Sequence, residues 1–506
     1  MKNRSRWIVG VLSVGLASAI ASASQPEDGP AGRARGDDAK AAFPAGRDYM
    51  RERAAMIRAK FPAPGPGRQV RDAGIARIDL MRDLRTLAAM WHFAGTTSTV
   101  YRAYEAKAGE GSWPASTHDL LDAVSGRLPT PNPDLAAEAR RIFKELDALG
   151  AFTSIKQLPT ERVFPEAVVG LDRPGLMMLT PWLGDARQAS RILVARASAA
   201  LADGDHAAYL DLTAQTLALA RALETDGTLI SYLVSVAVEA MVHTRITEDV
   251  LEGRIDGRLA PRVLAVIDRA PLADHVFALE SERLFTLDAI DWAYGTNARA
   301  LSDLLSITAA NDFPAIGIGR LLWAPREDQL HAADRLYSAL VDRLSAKPDP
   351  ALQAWAREFM GRLEANQASR NRYALIALLM PAFDRVTQRV VPQYLAQRGG
   401  VRMILAAEAF KADTGEYPAD ADRLAPRLIG EIPEDPFLRG HRLRYRLVDP
   451  GEDRLGRPYL VYAVGPDGED HGGRDDDRDQ YRALMKDMGR GYDLVINWKH
   501  IPEPRD

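Results

Sequence analysis

The chain has 506 residues, of which 46% are apolar and 26% are charged, and its formal net charge is −4. This composition is that of an ordinary globular protein, and the length favours two or three domains. The acidic balance argues against general nucleic-acid binding, which requires a basic surface. Because the chain contains no cysteine, disulfides, thiolate zinc sites and cysteine nucleophiles are excluded.

Residues 1–23 have the pattern of an export signal. Three basic residues, all before residue 7, precede a fourteen-residue apolar stretch, Trp7–Ile20, and a small-residue cleavage site, Ala21–Ala23. The apolar stretch is shorter than the roughly 20 residues that a membrane helix needs. We therefore predict a periplasmic or extracellular protein without an integral membrane segment after cleavage. If the signal is retained, the protein is membrane-anchored instead.

The region after the signal changes from a linker to a helical domain. Residues 24–46 are rich in Ala, Gly, Asp, Pro and Arg, which predicts a flexible linker. Residues 47–395 are dominated by Ala, Leu, Arg and Glu, which predicts an α-helical domain of one or two subdomains. Its clearest joint is Asp203–Asp205, where Gly204 suits a left-handed helix end and Asp205 suits an N-cap. The helices on either side are predicted to pack as a hairpin.

A helix that is apolar nearly all round is predicted over Thr228–Ile246. It contains Glu239 and His243, which share one helix face because they are four residues apart. One interpretation is an acid/base pair or two metal ligands. The other is a buried polar pair satisfied by neighbours such as Arg245 or Arg283. Two ligands are fewer than a metal site needs, which favours the second interpretation.

A hydrolase site would need further groups near Glu239 and His243, and Glu280 on the acidic segment Ala278–Trp292 is the residue we consider for it. Acidic clusters on a helix are usually solvated faces. The sequence contains no G-x-S-x-G motif, no P-loop and no GxGxxG motif. No catalytic residue and no cofactor-binding residue is therefore predicted, and an enzyme remains the alternative interpretation.

Residues 396–506 have a different pattern, typical of a helix packed on a small antiparallel sheet. Apolar residues at helical spacing, Met403 to Phe410, lead to the helix-ending Gly415. Three predicted strands follow, at Leu443–Leu447, Tyr459–Val464 and Tyr492–Trp498. The predicted fold is thus a large, mostly α-helical domain followed by a small α+β domain.

An acidic, glycine-rich loop follows the second of these strands. Six Asp and one Glu lie between Asp467 and Asp479, and four glycines in or beside this run allow backbone carbonyls to converge. The loop is not an EF-hand, because Arg478 stands where the twelfth-position glutamate belongs. A calcium site and a solvated acidic loop are both compatible with this pattern.

Several motifs in this region occur together in a known family. "AFKADTGEYP", "IPEDPF", "LRYRL" and "YAVGPDGEDHGG" stand in this order, followed by a final Asp-Leu-Val. Over about 110 of the 506 residues the chain resembles the periplasmic head of the major pseudopilins of type II secretion systems. Residues 1–30 lack the basic leader and long polymerising helix of that family. The layout also resembles large uncharacterised envelope proteins that carry such a head at the C-terminus.

The resemblance implies a structural calcium ion in the loop after G-x-D-G. Its ligands would come from the six carboxylates Asp467, Asp470, Asp475, Asp476, Asp477 and Asp493, although residues 480–491 make this loop longer than the family's. We expect a non-enzymatic exported envelope protein, a helical scaffold or interaction domain with a calcium-stabilised, pseudopilin-like head. Its partners would be other envelope proteins. The alternative is a hydrolase with a site near Glu239, His243 and Glu280.

Export gives the first prediction. N-terminal sequencing of the protein from the envelope fraction should find a chain processed near Ala23, because the basic residues, apolar stretch and cleavage triplet stand in the order that signal peptidase requires. A cytoplasmic chain that begins at Met1 would contradict this prediction.

Overall fold

The structure is a computed structural model. It describes the following residues: 48–61, 74–108, 117–128, 130–160, 162–164, 182–295, 322–345, 347–377, 386–451, 453–475 and 491–498. The predicted signal (1–23), the predicted linker (24–46) and the proposed ligands Asp476 and Asp477 lie outside these ranges.

The described part of the chain is mostly helical, with a small three-stranded antiparallel sheet near the C-terminus, which confirms the coarse fold predicted above. It divides into two compact units. The smaller unit contains five helices: α1 (Tyr49–Lys60), α11 (His275–Gly295), α12 (Arg326–Arg343), α13 (Pro350–Ala365) and α14 (Gln367–Arg372). Lys60 at the end of α1 and His275 at the start of α11 are assigned to the larger unit.

The larger unit contains the remaining elements. Its helices are α2 (Arg77–Thr97), α3 (Thr99–Ala108), α4 (His118–Val124), α5 (Pro133–Ala148), α6 (Thr153–Gln157), α7 (Trp182–Ala202), α8 (His206–Leu223), α9 (Leu229–Leu251), α10 (Ala260–Arg269) and α15 (Val391–Thr414). Its strands are the parallel pair β1 (Gly74–Ala76) and β2 (Arg162–Phe164), and the antiparallel β3 (Arg444–Leu447), β4 (Tyr459–Ala463) and β5 (Leu494–Val495).

The predicted hairpin of α7 and α8 is confirmed. Gly204 has a φ of +76°, and the Asp205 side chain accepts a hydrogen bond of 3.0 Å from the Ala208 N–H. The two helices pack closely against one another. Glycine tolerates the left-handed backbone that turns the chain, and aspartate satisfies a free N–H of the new helix.

Helix α9 lies at the centre of the larger unit, between α8, α7 and α15. Thr228 caps its first turn by accepting from the Ser231 N–H at 3.1 Å. Buried positions occur on nearly every side of the helix, as the sequence predicts. The partly exposed residues Ile230, Leu233, Ala237, Ala240 and Thr244 follow a single stripe of α9, and the other sides of the helix are buried, which is why most of its surface is apolar.

The C-terminal sheet has the order β3-β4-β5, with β4 in the centre and fully buried. Arg444 pairs with Tyr462 on one side of β4, and Val495 pairs with Tyr462 on the other. Helix α15 packs on β4. Strand β5 is shorter than predicted. Leu447 was predicted to lie on the buried face of β3, but it is 47% exposed.

Two adjacent glycines inside α15 allow the sheet to approach this helix closely. A Cβ at Gly400 would lie 2.5 Å from Ile496 Cγ1, and a Cβ at Gly399 would lie 2.9 Å from Pro433 Cβ. The sequence pattern changes near Gly399, but the helix begins at Val391 and runs through it. The boundary drawn from the sequence at 395/396 therefore lies inside α15, and residues 388–506 belong to the larger unit.

The close contact at Gly400 gives a stability prediction. Gly400→Ala should lower the free energy of unfolding by about 1–3 kcal/mol, because the added methyl group overlaps the buried Ile496 side chain. Urea unfolding of the full chain measures the effect.

The matched control is Gly184→Ala in α7, where a Cβ meets nothing within 4 Å. That variant should be neutral or slightly more stable, because alanine is the better helix former. Equal effects of the two substitutions would contradict a close helix–sheet contact at Gly400.

Candidate functional site

The acidic loop between β4 and β5 is organised around Asp493. This carboxylate is fully buried and accepts hydrogen bonds from three backbone N–H groups: His471 (3.2 Å), Gly473 (2.6 Å) and Arg474 (3.2 Å). Gly473 has a φ of +79°, a conformation that favours glycine. Burial is the largest influence on Asp493 and raises the pKa of its carboxyl, although the three N–H groups oppose it. Asp493 therefore holds the loop on the sheet.

Two further proposed ligands are engaged by arginines. Asp470 lies 2.6 Å from Arg444 Nε and also accepts from the Gly472 N–H at 2.9 Å. Asp475 lies 3.1 Å from Arg457 Nη1, and Arg457 is itself buried. These ion pairs neutralise part of the loop's charge without a metal ion.

Asp467 belongs to a different cluster, with Glu469 and His471. One ligand atom from each of these three residues lies within 4.8 Å of the others. His471 Nε2 is 3.0 Å from Asp467 Oδ2, and this hydrogen bond is the main reason why the pKa of His471 is raised. Glu469 and His471 are not among the ligands predicted from the sequence, although their spacing of two residues in a glycine-containing turn is a visible signal.

Of the six proposed calcium ligands, the structure thus brings Asp467 together with two other side chains of the types that bind metals, Glu469 and His471. Asp470 and Asp475 contact arginines, Asp493 contacts backbone N–H groups, and the other two lie outside the described residues. Carboxylate oxygens suit calcium or magnesium, whereas imidazole suits zinc and its neighbours. A hard cation at Asp467 and Glu469 would replace the His471 ring as the partner of Asp467.

Glu239 lies in a closed cluster of charges inside the larger unit. Its carboxylate has no solvent exposure and forms ion pairs with Arg221 and with Arg398, whose Nη1 is 3.2 Å away. The Tyr394 hydroxyl donates to both carboxylate oxygens, at 3.2 and 3.1 Å. The prediction that Arg245 or Arg283 pairs with Glu239 is therefore wrong.

The two expected partners are engaged elsewhere. Arg245 lies 2.9 Å from Asp249 one turn along α9, and Arg283 contacts Glu280 at 2.8 Å and Asp334 at 2.6 Å. Arg283, Glu280 and Asp334 belong to the smaller unit, whereas Glu239 belongs to the larger one. Glu280 is accordingly an acid in a surface ion-pair network of its own unit.

His243 is also fully buried, one turn after Glu239. Neither ring nitrogen has a hydrogen-bond partner within the described part of the chain. Burial, and secondarily the charges of Arg398 and Arg221, lower the pKa of His243 to about 3. The ring is therefore neutral at physiological pH, and it fills space in the core.

The helix that carries these residues also has the length of a membrane span. Among the described residues, Leu229–Leu251 is the one helix that is long and apolar enough to cross a bilayer. In this structure 67% of its most apolar window is buried, and the core helix of a folded domain has the same composition.

Comparison with protein-family models, curated proteins and solved structures finds no match to this chain. The likeness of the C-terminal residues to pseudopilin heads rests on the sequence motifs quoted above. It stays a prediction, as do export and calcium binding.

The buried His243 ring gives a pH prediction. Its folded-state pKa is about 3 and its ordinary value is 6.5, so below pH 6.5 the unfolded chain binds a proton that the folded chain does not. This histidine should therefore cost about 1.4 kcal/mol of stability for each unit that the pH falls between 6.5 and 3. His243→Phe should flatten that slope and change stability little at pH 7, because no hydrogen bond of the ring is lost.

Urea unfolding of both proteins between pH 4 and 7 measures the difference. The exposed His92 of α2 provides the control, since His92→Phe should leave the slope unchanged. Identical slopes for wild type and His243→Phe would show that His243 is solvated.

Proposed function

We propose that the protein is a non-enzymatic exported envelope protein, in which a helical scaffold carries a calcium-stabilised, pseudopilin-like head. One observation carries the non-enzymatic part of the proposal: two of the three residues considered for catalysis, Glu239 and His243, have no solvent exposure, and the third, Glu280, belongs to the other unit and is paired with Arg283. Glu239 is paired with two arginines, and the His243 ring is uncharged at neutral pH. Such groups cannot reach a substrate.

The head is supported by sequence and architecture together. Its motifs stand in the order of a pseudopilin head, and its residues form a helix packed on an antiparallel sheet. Helix α15 is tied to the helical part of the larger unit through α9 and α10. We therefore expect the head to be presented rigidly by the scaffold, which suits a protein that positions a partner in the envelope.

Calcium binding is supported by the clustered oxygens of Asp467 and Glu469 in a loop with other carboxylates nearby. Calcium needs six to eight oxygen ligands, which backbone carbonyls and waters would complete. The Asp493 carboxylate shapes the loop by accepting hydrogen bonds from the backbone N–H groups of His471 and Gly473, so Asp493 is a positioning residue. The ion would favour the folded chain because the unfolded loop offers no assembled site.

Calcium should accordingly stabilise the full-length protein against thermal unfolding, compared with the same protein in chelator. An ion at ten to a hundred times its Kd adds about 1–3 kcal/mol. Magnesium should do less, because it demands a tighter octahedron and gives up water reluctantly. Differential scanning fluorimetry at low ionic strength measures the shift.

The double change Asp467→Asn and Glu469→Gln should remove the calcium effect while leaving the apo melting temperature near that of wild type. Glu431→Gln, an exposed acid elsewhere in the head, is the matched control and should keep the effect. If wild type melts identically in calcium and in chelator, the loop is a solvated acidic turn and the calcium part of the proposal fails.

A further inference from the structure

A cavity of about 430 Å³ opens in the larger unit, away from the acidic loop's Asp467 cluster. Three segments and Asn497 line it; the segments are the end of α9 with the turn that follows (250–257), the last turns of α15 with the residues that follow (408–417), and the chain that enters β4 (455–459). A volume of this order is that of a small-molecule site.

The ends of two helices border this cavity. Helix α9 ends at Leu251 and α15 ends at Thr414, and each is followed by a glycine with positive φ, Gly253 and Gly415. The C-terminal end of a helix carries roughly half a negative charge. Two such ends together make the cavity attractive to a cation.

Two carboxylates add to this negative potential. Glu408 Oε1 accepts from the Tyr459 hydroxyl at 2.9 Å and from the Tyr417 hydroxyl at 3.2 Å. Burial raises the pKa of Glu408, because the two hydroxyls and Lys411 offset its desolvation only partly. Asp256, on the turn after α9, is exposed and accepts the Leu259 N–H at 2.8 Å.

The two basic residues of the lining, Arg457 and Lys411, differ in how far their positive charge is already compensated. Arg457 is already bound to Asp453 (2.8 Å) and Asp475 (3.1 Å). Lys411 is exposed, and its ammonium lies 4.3 Å from the centre of the Tyr417 ring and 3.2 Å from its hydroxyl. The aromatic wall therefore already holds one ammonium group, by a cation–π contact.

We propose that this cavity binds a linear aliphatic diamine or polyamine, with one ammonium group at Glu408 and the tyrosines and with Lys411 as an internal competitor. The remaining lining favours a methylene chain over a bare metal ion, since it includes Val250, Leu251, Leu455 and Pro458. The carboxylate at Asp256 provides the partner for a second ammonium group.

Isothermal titration of the full chain with 1,5-diaminopentane tests the proposal, in chelator so that the acidic loop holds no metal. We expect saturable binding of one diamine, and no binding of the matched neutral probe 1,5-pentanediol. Equal binding of both probes, or binding of neither, would overturn the proposal.

Three substitutions identify the site. Glu408→Gln keeps an acceptor for the tyrosine hydroxyls. It should lower the affinity for the diamine at least about tenfold, the equivalent of about 1.4 kcal/mol. Asp256→Asn keeps the backbone hydrogen bonds of the turn and should weaken it by a smaller factor. Lys411→Met keeps the apolar stem, removes the competing ammonium, and should strengthen binding.

The controls separate this cavity from general attraction to acidic surface. Glu364→Gln, at an exposed position of α13, and the pair Asp467→Asn with Glu469→Gln should leave diamine affinity unchanged. If Glu408→Gln does not fold, as judged by circular dichroism, the opposite effects of Asp256→Asn and Lys411→Met still decide. Weaker diamine binding in Lys411→Met would show that Lys411 does not compete with the diamine and would refute the proposal.

Discussion

The larger unit depends on the charge of Glu239, which is buried without solvent contact at the centre of α9. A buried carboxylate is tolerated only when it is paired and hydrogen-bonded, and removing one partner of a buried pair costs about 3–5 kcal/mol. Its partners come from α8 (Arg221) and α15 (Arg398 and Tyr394), and Arg398 also donates to the Ile267 carbonyl of α10 at 2.9 Å. One carboxylate therefore fixes the positions of four helices.

This constraint explains why the C-terminal region and the helical region form one compact unit. Arg398 and Tyr394 lie in the first third of α15, and the same helix packs on β4 and meets Ile496 at Gly400. Glu239 has no solvent exposure, and the two candidate binding features among the described residues lie elsewhere in the unit: the acidic loop after β4 and the cavity where α9 and α15 end.

Patterns that act over a few residues were readable from the sequence. The joint at Gly204 and Asp205, the burial of most sides of α9 and the central strand β4 follow from local periodicity and cap chemistry. Partners distant in the chain were not readable: Arg398 follows Glu239 by 159 residues, and nothing local selects it over Arg245. The boundary at 395/396 was drawn where the residue pattern changes, whereas α15 runs through this point and its Gly400 lies against Ile496. At the acidic loop, the carboxylates were visible in the sequence, but their division between arginines, backbone N–H groups and His471 depends on tertiary structure.

Arg457 contributes to the lining of the cavity and also forms an ion pair with Asp475 of the acidic loop. An ion in the loop that drew Asp475 away would leave more of the guanidinium's charge uncompensated beside the cavity, and a cation there would bind less well. Coupling of this kind is reciprocal, so occupation of the cavity by a cation would weaken the loop's hold on its ion to the same degree. A single buried side chain would then make the two cation sites antagonists, and the head would respond to the ratio of two solutes instead of to either alone.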